Sequence, residues 1–306
     1  MNKKLFNQQK LIPWLFISPF FVLFLIFGLF PFFYGIFLSM HEWRGARAAH
    51  FTGLSHYAAL LSGADPHFWK TAGTTVFLFF ACFLPQHLIA LPLAILLNNS
   101  RVQGKNLFFT VYVLPFIAGT VSLTAIFVLF CNYNNGLFNH LLKNMGFSGL
   151  NWMQNSRTLP LTAALFINWR YLGLNTLIYF AGLQTIPPEY YEAAIMDGAG
   201  NITRHIYVSL PMMFPVIFFA VSMSMLAGAQ LFTEPFLMTA GYAQMGGSGS
   251  ALFTVSFYIM WLLQREMNWG KGAAVSVLFF IICSVILICG RRLADWPERL
   301  QKAGTK

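Results

Sequence analysis

The chain has 306 residues, of which 57% are hydrophobic, 17% aromatic and only 9% charged. Soluble domains carry about 25% charged residues, so a soluble globular protein is excluded: there is too little charge to cover its surface. The net charge of +10 sits between apolar segments, with no dense basic run. That is a topology signal in a multi-pass membrane protein and not a phosphate-binding face.

Crossing the hydrocarbon takes about 20 apolar residues. Taken in chain order, the stretches that qualify are 12–38, 71–97, 107–131, 160–183, 211–233 and 271–290. They lack the two-residue alternation of barrel strands, so an all-α fold of about six transmembrane helices is expected. The opening MNKKLFNQQK followed by a long apolar run has the charge pattern of a signal peptide. Its apolar part is too long and no small-residue cleavage site follows closely, so it reads as an uncleaved first span. Placing the N-terminus inside puts Lys3, Lys4, Lys10, Arg101, Lys105, Arg204, Arg291, Arg292, Arg299, Lys302 and Lys306 on the inner side. The outer side then holds only Arg44, Arg47, Lys70, Lys143, Arg157 and Arg265. This asymmetry favours both termini in the cytoplasm.

The outer segments 39–70, 132–159 and 234–270 are rich in Trp, Tyr, Asn and Gly. Their aromatics suit either interface anchoring or docking of an external partner. The cysteines Cys82, Cys131, Cys283 and Cys289 lie in or beside apolar segments without metal spacing and read as small buried hydrophobes. No metal site and no cofactor are expected.

Charge inside a span is costly and marks function. Arg170 lies about ten residues into the fourth span, flanked by Asn168 and Asn175, with Trp169 and Tyr171 beside it. Gln86 and His87 lie midway along the second span after Pro85, and Gln230 lies near the end of the fifth, with Glu234 at its mouth. Gln86, Asn168, Arg170, Asn175 and Gln230 offer paired donors and acceptors beside aromatic faces, the chemistry sugar hydroxyls need. Lining a pathway and a structural role weigh equally for each. His87 reads as a helix-packing residue.

Between the fourth and fifth spans lies EYYEAAIMDGAGNITRHIYVSLP, residues 189–211. Pro187 and Pro188 end the preceding span. Glu189 and Glu192 then occupy the first turn of a short helix, where carboxylates meet the positive helix end. Gly198 closes that helix, a second short helix runs through Ile202, Ile206 and Val208, and Pro211 opens the fifth span. The first helix presents a small apolar face, Ala193 and Ala194, within a charged rim, a form suited to a groove on another protein. Glu189, Glu192 and Asp197 outnumber Arg204, which speaks against a lipid-bound connector.

The spacing Glu192-Ala193-Ala194, three residues, Gly198, nine residues, Val208-Ser209-Leu210-Pro211 resembles the EAA signature of permease subunits of binding-protein-dependent ABC importers, with Val208 in place of Ile as its departure. Phe51-Thr52-Gly53-Leu54 with Tyr57, and Leu237–Gly241 followed by Gly246-Gly247, are similar to further segments of sugar permeases. The branch resembled is that of the glycerol-phosphate, lactose and larger maltose permeases. The tail RRLADWPERLQKAGTK lacks the ending usual in the other branch.

The resemblance implies a type I importer permease (MetI-like) fold in a bacterial inner membrane. The permease domain would cover 12–290 with a coupling loop at 184–210, between cytoplasmic segments 1–11 and 291–306. The implied partners are a second permease subunit, two ABC ATPase subunits and an extracytoplasmic solute-binding protein; the implied cargo is a sugar, a polyol or its phosphate. Glu189, Glu192, Ala193, Ala194, Asp197, Gly198 and Pro211 would couple to the ATPase. The chain has no GxxxxGK[ST] of its own, so ATP hydrolysis is expected elsewhere. An ion-coupled secondary transporter is the alternative. It is disfavoured for protons because the acidic residues fall in loops or at span ends, leaving no deep carboxylate relay.

Overall fold

The structure is a computed structural model that describes residues 3–45, 48–99, 103–239 and 251–294, without the side chains of 3–12 and 293–294. Arg47, Arg101, the Gly241 and Gly246-Gly247 positions of the loop resemblance, and the tail from 295 onward lie outside the described residues. The helices in chain order are α1 (Lys3–Phe24), α2 (Phe30–Ser39), α3 (Ser55–Leu61), α4 (Pro66–Asn98), α5 (Lys105–Ile117), α6 (Thr120–Phe130), α7 (Leu137–Asn144) and α8 (Thr158–Gln184). They continue with α9 (Pro188–Met196), α10 (Asn201–Arg204), α11 (Leu210–Met212), α12 (Phe214–Ala229), α13 (Thr233–Met238), α14 (Val255–Gln264) and α15 (Trp269–Ala294). One short antiparallel pair, β1 (His41–Glu42) and β2 (His50–Phe51), follows α2.

Among the described residues, three helical stretches are long and apolar enough to cross a membrane: Pro13–Ser39, Pro66–Asn98 and Trp269–Arg292. The count rises to five if each of two bent pairs is one span. Residues 107–131, expected as one helix, form such a pair, with α5 and α6 meeting at 97°. The break falls at Ala118 and Gly119, both extended in backbone, directly after Pro115 in the last turn of α5. The fifth span also bends, by 67°, between α11 and α12. Its bend sits at Met213, ahead of Pro215, and not at Pro211. Pro215 supplies no N–H to the helical ladder and its ring crowds the carbonyl of Pro211.

The α8 helix has 27 residues, about 40 Å at 1.5 Å per residue. It is the most enclosed of the long helices: Phe166, Ile167, Gly173, Thr176, Tyr179 and Leu183 are all buried along it. Such a helix tolerates polar residues because neighbouring helices, and not lipid, surround them. Gly173 shows how close those neighbours come, since a Cβ there would stand 1.9 Å from the carbonyl oxygen of Tyr112 on α5. Small residues let helix backbones approach in this way within membranes. In contrast, only 6% of the most apolar window of Pro13–Ser39 is buried, which leaves its Phe and Leu side chains facing outward.

The chain divides into two compact units, residues 1–68 with 259–281, and residues 69–258 with 282–306. In the first, Asp65 Oδ1 accepts hydrogen bonds from the backbone N–H groups of His67 (2.8 Å) and Phe68 (3.2 Å) and so caps the start of α4. Asp65 Oδ2 also pairs with Lys271 Nζ at 2.8 Å. Among the described residues, the second unit holds two apolar clusters. One gathers Leu78, Phe127, Leu159, Phe166, Ile167 and Leu252. The other gathers Ala90, Ala94, Tyr179, Leu183, Ile186, Met213 and Ala220. The segments between the expected spans hold short helices of their own, among them α7, α13 and α14.

Candidate functional site

Two groups of residues stand out in the larger unit. The first is the short helix α9. Pro188 sits in its first turn, with Glu189 following at the positive end. The helix closes in a Schellman turn: Gly198 N–H donates to the Ile195 carbonyl and Ala199 N–H to that of Ala194, both at 2.9 Å. Gly198 takes φ +79°, a conformation that suits glycine. Glu189, Glu192, Ala193, Asp197, Gly198 and Pro211 are exposed, and Met196 is 87% exposed. Ala194 and Tyr191 are the α9 residues turned partly inward. Ala194 therefore does not share the open face with Ala193, as expected from sequence; the three-residue step from Tyr191 places it on the inner side.

Tyr191 packs against the cluster that contains Tyr179, Leu183 and Met213. Its hydroxyl lies 2.9 Å from Ser209 Oγ, and His205 Nδ1 lies 2.9 Å from the same oxygen. Burial pushes the His205 imidazole below its usual range, and the Arg204 charge beside it acts in the same direction. His205 and Ser209 bound a π-helical turn, five residues long, that links α10 to α11.

The second group is a polar ladder between α4 and α8. Asn175 Nδ2 donates to Gln86 Oε1 at 3.0 Å, and Gln86 Nε2 to the Ile167 carbonyl at 3.4 Å. Asn168 Nδ2 donates to the carbonyls of Ala81 (3.0 Å) and Ala164 (2.8 Å). His87 meets Tyr179 OH through Nδ1 and Ser224 Oγ through Nε2, so both ring nitrogens are engaged, in keeping with a packing role. Arg170 is 6% exposed and Glu234 5%. Arg170 Nη1 donates to Glu234 Oε1 at 2.6 Å and Nη2 to Thr120 Oγ1 at 2.6 Å. The guanidinium carbon also stands 5.2 Å from the Tyr171 ring centre. One guanidinium thus joins the middle of α8 to the first turns of α6 and α13, two helices that begin just after chain breaks.

A small open pocket lies beside this ladder, walled by Phe79, Phe83, Ile167 and Leu231, with Gln86, Tyr171 and Ser224 as polar groups on its lining. Of the sequence-selected pathway residues, Gln86 reaches the pocket. Asn168, Arg170 and Asn175 stand in the ladder behind it. Gln230 caps the end of α12 and is exposed, apart from the others. Sequence reading passed over Thr120, Tyr191, His205, Ser209 and Ser224. The four-residue step from His205 to Ser209 is the one local signal that could have raised a pair of them.

No protein-family model matches the chain. It is 31% identical over 295 residues to the arabinooligosaccharides transport system permease protein AraP of Bacillus subtilis, covering 95% of this chain and 91% of the relative. It is 31% identical over 277 residues to the lactose transport system permease protein LacF of Rhizobium radiobacter, covering 89% and 90%. The trehalose/maltose transport system permease protein MalF of Thermococcus litoralis is 27% identical over 283 residues, covering 92% and 93%. Among solved structures, a chain of a bacterial alginate ABC transporter, crystallised with its alginate pentasaccharide-bound periplasmic protein, superposes with a TM-score of 0.81 at 19% identity. That match covers 94% of this chain and 96% of the other, and establishes the type I importer fold. These relatives give no support to an ion-coupled secondary transporter. The chain belongs to the permease subunits of sugar ABC importers: it spans the membrane in many passes and leaves ATP hydrolysis to a separate subunit.

Proposed function

We propose that this chain is one half of a heterodimeric translocation path in a bacterial cytoplasmic membrane, with both termini on the cytoplasmic side. An external binding protein delivers a sugar or sugar-like solute, and two ATPase subunits drive its passage by alternating access around a site near the midplane. The relatives' own cargoes, arabino-oligosaccharides, lactose and trehalose or maltose, support a saccharide. The observation that carries the reading is α9, whose Glu189, Glu192 and Ala193 are exposed while Tyr191 and Ala194 turn inward. A helix held at one face and open at the other is the form that a groove on an ATPase accepts. On this reading Glu192 meets a basic residue of the ATPase, Ala193 permits close approach and Gly198 permits the turn that returns the chain to the bilayer.

The pathway runs past Gln86, with Asn168, Asn175 and Arg170 holding its wall and Gln230 at the end of α12. Gln86 and Ser224 supply hydrogen-bonding groups beside the Phe79, Phe83 and Tyr171 rings, the mixture of polar and aromatic surface that a sugar ring uses. The test is mass spectrometry of what co-purifies with the chain from native membranes in mild detergent. Recovery of an ABC ATPase and a second permease is expected. Recovery of this chain without any nucleotide-binding subunit, across several detergents, would overturn the proposal.

A further inference from the structure

Any displacement of α9 has two routes to α12. The backbone route runs through Gly198, Ala199 and Gly200, where glycine on both sides leaves the chain conformationally soft. A push transmitted along it alone is absorbed by rotation of the turn. The side-chain route runs through Tyr191. Its ring is the part of α9 packed into the apolar cluster with Met213, and its hydroxyl ends on Ser209 Oγ at 2.9 Å. Ser209 is 1% exposed, and its own carbonyl accepts the N–H of Met213 at 2.8 Å. Met213 is the residue between α11 and α12, where the chain bends by 67°.

His205 completes the arrangement. Its Nδ1 reaches Ser209 Oγ at 2.9 Å, and its ring stands 6.4 Å from that of Tyr191 in an edge-on orientation. The Ser209 hydroxyl has one proton to donate and can accept two. If Tyr191 donates to Ser209, Ser209 donates to His205 carrying its proton on Nε2. If Nδ1 carries the proton, the chain of donation reverses. Either tautomer keeps both hydrogen bonds to Ser209 Oγ. The π-helical turn from His205 to Ser209 is of the kind that recurs at functional sites.

We propose that Tyr191, Ser209 and His205 are positioning residues of the transport cycle, a hydrogen-bonded strut that converts displacement of α9 into rotation of α12 about Met213. This rests on the reading of α9 as the ATPase-docking helix. The strut touches neither nucleotide nor cargo and acts by holding α9 and the foot of α12 as one body.

The test uses the native complex of this chain with its ATPase subunits in lipid nanodiscs. Spin labels are placed on cysteines replacing exposed Met196 of α9 and exposed Phe219 of α12, with Cys283 and Cys289 replaced in the background. The distance between labels is read without nucleotide and after trapping with ATP and vanadate. Tyr191→Phe and Ser209→Ala are compared singly and together. The expected result is an ATPase that stays bound and still hydrolyses ATP, with a trapped population reduced about threefold by Tyr191→Phe, the effect of one net hydrogen bond, and at least as much by Ser209→Ala, which also removes the His205 contact. The double variant should lose no more than Ser209→Ala alone, because the Tyr191 link is already gone there.

Unchanged populations, or additive losses in the double variant, would overturn the strut. Tyr191→Phe keeps the ring and its packing, so it decides the question if Ser209→Ala lowers the melting temperature. Failure of the wild-type chain to hold any ATPase would overturn the docking reading and the strut with it. ATPase recovered with undiminished responses in the variants would overturn the strut alone.

Discussion

Arg170 and Glu234 are 64 residues apart in sequence and 2.6 Å apart in space. Removing two charges from water is expensive, and their attraction offsets that cost only with good geometry and further hydrogen bonds. Arg170 has both: Thr120 accepts from its second amino group and the Tyr171 ring lies alongside. Replacing one partner leaves the other charged and buried, which costs about 3–5 kcal/mol. Glu234→Gln is therefore expected to lower the melting temperature of the detergent-purified chain sharply. Exchanging both residues for Met and Leu should cost less than either single change. Equal melting temperatures for Glu234→Gln and wild type would show that the pair bears no stability. Sequence alone singled out Arg170, because a guanidinium ten residues into an apolar run must find compensation. It placed Glu234 at the mouth of the fifth span but could not pair it with Arg170, since nothing local indicates which distant carboxylate folds back.

At the scale of elements, the spans are broken where the backbone has a reason to break. Pro115 and Gly119 end α5 and restart the chain as α6 at 97°, and Pro215 sets the bend before α12. The first of these breaks brings Thr120 to Arg170, and the break between α12 and α13 brings Glu234 to it. The short helices α7, α13 and α14 do not show as apolar runs because each has 10 residues or fewer, well below the roughly 20 that a membrane crossing takes. The contact of α8 with α5 is a tight point of this frame. Gly173→Ala would place a methyl group into the Tyr112 carbonyl at 1.9 Å, with backbone and not a flexible side chain in the way. The helices must then separate, and overpacking of this sort costs about 1–3 kcal/mol. A fall in melting temperature and faster proteolysis between α5 and α8 are expected. A Gly173→Ala chain that melts with wild type would show that the two helices are free to separate there.

At the scale of the whole molecule, the chain works only within an assembly. It lacks the phosphate-binding loop of an ATPase, and its family divides membrane passage from hydrolysis. On the proposed reading, energy enters through α9, whose Glu192 is exposed. Glu192→Lys reverses the charge offered there while touching no buried group. It is expected to reduce cargo uptake by about tenfold or more, equivalent to one lost charge-assisted contact, with the protein still inserted and its melting temperature unchanged. Uptake in proteoliposomes together with ATP hydrolysis measures both sides of that coupling. Wild-type values for the two would remove Glu192 from the interface.

The sequence by itself determined the class, the long apolar helices and the short capped helix between the fourth and fifth of them. Hydropathy, proline, glycine and carboxylate placement act locally, and the EAA spacing is a contiguous pattern. It also marked Gln86, Asn168, Arg170 and Asn175 as polar groups that lipid would not accept. Only the tertiary structure decided how they are satisfied: Asn175 on Gln86, Asn168 on the Ala81 carbonyl, and Arg170 on Glu234 and Thr120. It also turned Ala194 inward, left Gln230 exposed and joined Tyr191 to Ser209 and His205. The physical reason is the same in each case. A buried polar group must be paired, but the partner is set by how helices cross and where they break, and those angles belong to the packed molecule.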